Sequence, residues 1–101
     1  MSTLGRKQTP EGTAITMEFV LTNKLGMHAR PAAMFVKIAS RHESEITVEK
    51  DGEKVNGKSI MGLMMLAAGC GSKLKITAQG ADAGKALDEI GKLIAAKFDE
   101  G

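Results

Sequence analysis

The chain has 101 residues, of which 43% are apolar and 26% charged, and its formal net charge at neutral pH is +2. This length allows one domain with a modest hydrophobic core and is too short for two. Basic residues are scattered among acidic ones, and the only aromatic residues are three phenylalanines. The composition therefore argues against a nucleic-acid partner, which needs a basic patch or a base-stacking platform.

The cysteine content and the lengths of the apolar runs indicate the cellular compartment. Cys70 is the single cysteine, which excludes an internal disulfide and is typical of a reducing cytoplasm. No apolar run approaches the roughly 20 residues of a membrane-spanning helix, and the first residues lack the apolar stretch of a secretion signal. We therefore expect a cytoplasmic protein without membrane insertion. We also expect it to be a monomer. Residues 1–14 are predicted to form a flexible arm, and residues 15–101 the domain.

The first predicted elements are a strand and a helix. In ITMEFVLT the apolar side chains alternate with polar ones, as in a half-buried strand. The inward face of this strand consists of Ile15, Met17, Phe19 and Leu21. From Ala29 to Arg41 the apolar spacing changes to three and four residues, which predicts an amphipathic helix. Its buried stripe consists of Ala32, Phe35, Val36 and Ala39.

A hairpin and a short helix follow. EITVEKDGEKVN predicts two strands, because Asp51 and Gly52 suit the positive φ angles of a tight hairpin turn. SIMGLMMLAAG predicts a helix with Ser59 as its N-cap and Gly69 as its stop signal. This helix is apolar nearly all round, and we assign Leu63 and Leu66 to the core. Three further side chains then face outward: Ile60, Met61 and Met64.

The last predicted elements are a strand and a helix. KLKITAQ alternates, with Leu74, Ile76 and Ala78 inward, and ADAGKALDEIGKLIAAKF is helical with Asp82 as its cap. The order is β-α-β-β-α-β-α, and all four strands are one-sided. We predict an α+β fold, an open-faced β-sandwich in which a four-stranded antiparallel sheet carries three helices on one face.

The stretch NKLGMHARPAA places His28 at the predicted start of the first helix. There the backbone N–H groups of Ala29 and Arg30 have no partner within the helix, and Pro31 has no N–H to leave unpaired. Free amides and the positive end of the helix dipole attract an anion, and the Arg30 guanidinium matches phosphate geometry. The same field favours a neutral, nucleophilic ring. These residues predict a histidine that accepts a phosphoryl group.

From the residues alone, a simpler interpretation of His28 also stands, because a single histidine near a helix start is commonly an ordinary surface residue. His42, in SRHES, has no glycine, arginine or helix start beside it and is interpreted only in that way. Cys70 and the two distant histidines do not have metal-ligand spacing. We expect neither a metal nor a cofactor.

LGMHARPAA resembles the active-site signature of the histidine-containing phosphocarrier (HPr) family of the bacterial phosphoenolpyruvate-dependent sugar phosphotransferase system. VNGKSIMGLMMLAAGCGSKLKITAQGADAGKAL resembles the second signature of the family, which holds a regulatory serine. Together the resemblance covers about residues 15–98. It implies a carrier rather than an enzyme, with the same sheet and three helices. One position departs from the family pattern, since Leu25 stands where many relatives have Ser or Asn.

The resemblance also implies a mechanism and partners. Enzyme I, charged from phosphoenolpyruvate, passes a phosphoryl group to Nδ1 of the histidine matching His28, and an enzyme IIA unit of a permease receives it. Arg30 matches the arginine that stabilises the phosphoryl group, with the backbone of Ala29 and Arg30 around it. Relatives dock their partners on the surface matching Ile60, Met61 and Met64.

Ser59 matches the serine that HPr kinase/phosphorylase modifies in relatives. From the residues alone it is an ordinary N-cap.

Two alternatives remain open on the sequence. TNKLGMHARPA and the KFDEG end resemble the nitrogen-related regulatory branch, which has the same chemistry, whereas KSIMG resembles the sugar branch. A ferredoxin-like binding module without phosphoryl transfer would also fit the order of elements.

Overall fold

The computed structural model describes residues 13–100. It contains four strands, β1 (Ala14–Val20), β2 (Glu45–Lys50), β3 (Glu53–Asn56) and β4 (Lys73–Gln79). Three α-helices connect or follow them, α1 (Ala29–Ala39), α2 (Ile60–Met65) and α3 (Ala83–Ala95), and a short turn of 3-10 type, Lys97–Asp99, follows α3. The predicted order of elements is confirmed. The predicted arm lies outside the described residues except for Thr13 and Ala14, and β1 already includes Ala14.

The four strands form one antiparallel sheet in the order β1-β4-β2-β3. Ile76 of β4 lies between Met17 of β1 and Val48 of β2, so these three side chains share one face of the sheet. β2 and β3 form the predicted hairpin, whose turn has φ of 53° at Asp51 and 86° at Gly52. β1 and β3 are the two edges.

One face of the sheet is buried under the helices. The fully buried strand residues alternate with exposed or half-buried polar ones, as the sequence predicts; they are Ile46, Val48, Leu74, Ile76 and Ala78. α1 packs on both α2 and α3, α3 covers β1 and β4, and α2 lies against β3. Met17 was assigned to the inward face, yet it is 47% exposed, because β1 is an edge strand and α3 covers only part of it. None of the helices in residues 13–100 is long and apolar enough to cross a membrane.

Three helix ends differ from the sequence prediction, and one of them is that of α3, which ends at Ala95 rather than Phe98. α1 ends at Ala39 rather than Arg41, and Ser40 closes it. α2 ends at Met65 rather than near Gly69, since Leu66 is its C-cap and Ala67 takes a left-handed φ of 52°. The next residue, Ala68, accepts a hydrogen bond through its carbonyl from the Met27 N–H in the loop before α1.

Asp82 occupies the N-cap position of α3, but its carboxylate does not bind the helix. It accepts hydrogen bonds from the Ser44 hydroxyl and from the backbone N–H groups of Glu43 and Ser44, both at 3.0 Å. His42, interpreted from sequence as a surface residue, is instead buried, with its ring nitrogens 3.3 Å from Asp82 and 3.0 Å from Glu89. These contacts fasten the loop before β2 to α3. The Ser44 hydroxyl above all, with the two N–H groups and His42, holds the pKa of Asp82 well below its usual value, outweighing the opposing effect of desolvation.

This network predicts an acid-sensitive contribution to stability. A carboxylate whose pKa is lowered by folding stabilises the native state above about pH 4, the value for the unfolded chain, and the contribution disappears as the pH falls through the folded-state pKa. Asp82→Asn should therefore lower the melting temperature at pH 7, and the difference from wild type should shrink between pH 4 and pH 2. Asp88→Asn, which removes an exposed carboxylate paired with Lys92, is the control and should change little. A difference as large at pH 2 as at pH 7 would contradict the assignment.

Candidate functional site

The loop before α1 is held against the segment after α2. The Met27 N–H donates to the Ala68 carbonyl at 2.8 Å, and the Gly71 N–H donates to the Leu21 carbonyl at 2.7 Å. Gly26 has a positive φ of 69°, and a Cβ added there would lie 2.3 Å from the Ala68 oxygen. Only glycine allows this backbone conformation at so close an approach. The contact places His28 next to the end of α2.

His28 is the N-cap of α1, as predicted, with extended backbone angles and no capping bond from its ring. The first hydrogen bond of the helix runs from the Ala32 N–H to the His28 carbonyl at 2.9 Å. The N–H groups of Ala29 and Arg30 precede it and have no partner within the helix. Pro31 is buried, so the start of the helix is fixed in place. The ring stands beside free amides and the positive end of the helix dipole.

The imidazole of His28 is partly accessible, with 38% of its side chain exposed. Its Nε2 lies 3.0 Å from an Oε2 oxygen of Glu100, in the turn after α3. An ionised carboxylate can only accept a hydrogen bond, so this contact assigns the ring proton to Nε2. Nδ1 is then the nitrogen with a free lone pair. Nothing in the sequence pattern indicates this contact, because 72 residues separate its partners.

Arg30 is exposed, and its Nη1 donates to the Phe98 carbonyl at 3.2 Å. The Phe98 side chain is fully buried, while Lys97, Phe98 and Asp99 all have left-handed φ angles between 54° and 58°. The turn after α3 thus contacts both predicted site residues, Arg30 through a carbonyl and His28 through Glu100. The sequence prediction extended the last helix to Phe98. An isolated phenylalanine at the end of a helix is the one signal that could have indicated the turn.

The side chains predicted to face outward from α2 do so. Ile60 is 41% exposed, Met61 72% and Met64 43%, whereas Leu63 and Leu66 are buried in the core. Two apolar residues that the sequence analysis did not assign to this surface are also 67% exposed, Met65 and Leu25. A shallow depression runs from the His28 ring to Met64 and is lined between them by Leu25, Met27 and residues 67–69. We call the exposed residues Leu25, Ile60, Met61, Met64 and Met65 the apolar surface.

Ser59 is the N-cap of α2, and its Oγ accepts a hydrogen bond from the Gly62 N–H at 3.0 Å. The hydroxyl is half-buried at the start of the helix that carries the apolar surface. Within residues 13–100 no three His, Cys, Asp or Glu side chains are grouped in a way that could hold a metal ion.

Comparison with known proteins identifies the family. The family model described as "PTS HPr component phosphorylation site" matches residues 15–96. The chain belongs to this family. It is 50% identical over 78 residues to the phosphocarrier protein HPr of Treponema pallidum, an alignment that spans 77% of this chain and 89% of that protein. The HPr of Pseudomonas aeruginosa is 45% identical over 86 residues, 84% of this chain and 96% of the relative.

The solved structures agree with the HPr assignment. HPr-C-His from Thermoanaerobacter tengcongensis superposes with a TM-score of 0.84 at 46% identity, covering 86% of this chain and 98% of the other. The open-faced sandwich predicted from sequence is therefore the HPr fold. This member of the HPr family is a phosphocarrier of the phosphotransferase system. The relatives favour neither of the two alternatives, the nitrogen-related carrier and the ferredoxin-like binding module. Membership implies a carrier of phosphoryl groups rather than a catalyst.

Proposed function

We propose that His28 is the residue that carries the phosphoryl group, on Nδ1. The observation that carries this proposal is the position of the ring, which is partly exposed at a helix start. Its Nε2 is hydrogen-bonded to a carboxylate, so the lone pair of the neutral ring is on Nδ1. His28 lies within the region matched by the family's phosphorylation-site model. His42, the second histidine, is buried, and both its ring nitrogens lie within 3.3 Å of carboxylates, so a donor protein has no access to either nitrogen.

The surroundings of His28 suit a transient phosphoryl group. The N–H groups of Ala29 and Arg30 and the helix dipole attract its negative charge. Arg30 uses one guanidinium N–H on the Phe98 carbonyl and has four more donors for phosphoryl oxygens. Because the ring is partly open to solvent, donor and acceptor proteins can reach it in turn. Orientation and electrostatics, which dominate phosphoryl transfer, are both supplied without enclosing the group.

We further propose that the donor is enzyme I, charged from phosphoenolpyruvate, and that the acceptor is an enzyme IIA unit of a sugar permease, all in the cytoplasm. The apolar surface supports this, because two of its residues, Leu25 and Met64, line one depression with His28, and a partner that reaches the ring would cover them. Methionine side chains repack readily, which suits a surface with more than one partner.

Ser59 is proposed as a regulatory phosphorylation site for an HPr kinase/phosphorylase. A phosphate there would stand at the first turn of α2, next to Ile60 and Met61. A docked partner would have to cover this dianion, and its desolvation would weaken binding.

The first test separates the two histidines. His28→Ala should fold normally and gain no acid-labile phosphate when incubated with enzyme I and phosphoenolpyruvate, measured by intact mass. His42→Ala should still be labelled, although its melting temperature should fall because Asp82 and Glu89 lose their buried partner. Labelling that survives in His28→Ala would refute the proposal.

The second test concerns docking. Met61→Glu should leave the melting temperature nearly unchanged, because Met61 is 72% exposed, and should raise the enzyme I concentration needed for half-maximal labelling by about tenfold, the effect of about 1.4 kcal/mol of lost binding. Met17→Glu is the matched control. It makes the same change at another partly exposed methionine. Met17 is in β1, at one edge of the sheet, whereas α2 lies against β3 at the other edge. Equal effects of both variants on labelling would show that α2 is not the docking surface.

The third test concerns Ser59. Ser59→Asp keeps an N-cap and adds a negative charge, so the melting temperature should be unchanged or slightly raised while labelling of His28 becomes markedly slower. Ser59→Ala removes the bond to Gly62 and should cost about 1 kcal/mol, or roughly 4–8 °C, with transfer unchanged. If Ser59→Asp is labelled as fast as wild type at every enzyme I concentration, Ser59 is only a helix cap and the regulatory role is refuted.

A further inference from the structure

We infer that the open face of the sheet, the face that carries no helix, binds a second copy of this chain through a row of alternating charges. This charge row crosses all four strands and consists of Glu18, Lys75, Glu49 and Lys54. A second copy is the occupant because a two-fold axis brings every charge of the row opposite a charge of the other sign. The inference does not depend on the proposed function of His28.

The register of the sheet produces the charge row. Glu18 of β1 pairs with Lys75 of β4. On its other side, Lys75 pairs with Glu49 of β2, which pairs in turn with Lys54 of β3. Each of the four has an apolar neighbour along its strand that faces the helices. Because successive side chains of a strand point to opposite faces, the charge row lies on the open face.

The charged groups of the row are available to a partner. Glu18, Lys75 and Lys54 are exposed, and Glu49 is half-buried. None of the four belongs to an ion pair within residues 13–100. A partner can therefore bind these groups without breaking an ion pair of the chain itself.

The order of the signs selects one way of joining two copies. A two-fold axis parallel to the strands and midway between β4 and β2 lays one open face on the other and reverses the row. Glu18 then meets Lys54 of the second copy, and Lys75 meets Glu49 of the second copy. With the symmetric contacts, four pairs of opposite charge form. A two-fold axis along the row would instead place each charge on its own copy, which is repulsive.

The rows toward the start of β1 are compatible with the same axis. The next row has only short, uncharged side chains, Thr16, Thr77, Thr47 and Asn56. In the row beyond it, Gln79 of β4 lies between Ala14 of β1 and Glu45 of β2. The axis places Glu45 on Gln79 of the second copy, so no like charges meet. Packed sheets are rotated by about 30°, and long lysine and glutamate side chains can follow that rotation.

The size of the face makes the dimer weak. Strands of four to seven residues, spaced about 4.8 Å apart, give a face about 15–20 Å on a side. This is less than the roughly 800 Å² that each partner buries in a stable complex. We expect a dissociation constant of about 1 mM at low salt, so the monomer expected from the sequence is the state in dilute solution. His28 stays accessible in both copies, because α1 packs with α2 and α3 on the other face.

The experiment exchanges the two central charges of the row. In Lys75→Glu the new carboxylate meets Glu49 of the second copy, and in Glu49→Lys the new ammonium group meets Lys75 of the second copy. Each variant alone should therefore bind itself at least tenfold more weakly than wild type. An equimolar mixture of the two variants restores opposite charges at every contact and should associate as wild type does. Lys85→Glu, the same change at an exposed position of α3, is the control and should associate normally.

The readouts are sedimentation equilibrium at low salt and NMR spectra of one 15N-labelled variant titrated with the other, unlabelled variant, up to about 3 mM protein. Shifts in the mixture should be confined to the open face, and about 0.5 M salt should abolish association, since exposed charges are screened. Mixing cannot rescue a variant that is misfolded, so restored association separates an interface from a folding defect. Glu18→Lys with Lys54→Glu repeats the design on the edge strands.

Three results would overturn the inference. The first is a wild-type protein that remains monomeric up to about 3 mM at low salt. The second is self-association of Lys75→Glu and Glu49→Lys as strong as that of wild type, which would place the interface elsewhere. The third is a mixture of matched variants, central or outer, that associates no better than its components. Loss of association in the single variants and its return in the mixture establish the interface.

Discussion

The site depends on the close approach of two backbone segments, the loop before α1 and the segment after α2. Gly26 makes this approach possible, because a Cβ at that position would overlap the Ala68 carbonyl, and the Met27 N–H closes the contact with a hydrogen bond. The proposed function, reaction at His28 and docking on α2, needs both at one place. Hydrogen bonds between the two loops, together with the packing of α1 on α2, hold His28 close to α2.

The one-sided sheet explains why a third segment can reach the same place. All three helices must cover one face, and α1 packs on both α2 and α3. The end of α3 therefore lies near the start of α1, and the turn after it can bind Arg30 through the Phe98 carbonyl and His28 through Glu100. The opposite end of α3 is fastened to the loop before β2 by Asp82. Chain segments far apart in sequence thereby support one histidine.

For the proposed phosphoryl carrier His28, the arrangement balances retention of the phosphoryl group against its release. Two backbone N–H groups, a helix dipole and one arginine supply attraction, while the half-exposed ring leaves the group accessible to a partner. Strong binding of the phosphorylated state would slow delivery, since only interactions strengthened in the transition state accelerate transfer.

The sequence by itself determined the order of the elements, the inward faces of the central strands, the caps of α1 and α2, and the position of His28 at a helix start. Each of these features depends on local spacing and on residues close together in the chain. Only the tertiary structure decided the partial exposure of Met17, the burial of His42 between Asp82 and Glu89, and the contact of Glu100 with His28. Alternation of apolar residues does not distinguish an edge strand from a central one. Side chains that pair across 47 or 72 residues leave no local pattern in the sequence, and nor does a left-handed turn anchored by a buried ring. Those features arise from how the packed helices bring distant segments together on one face of the sheet.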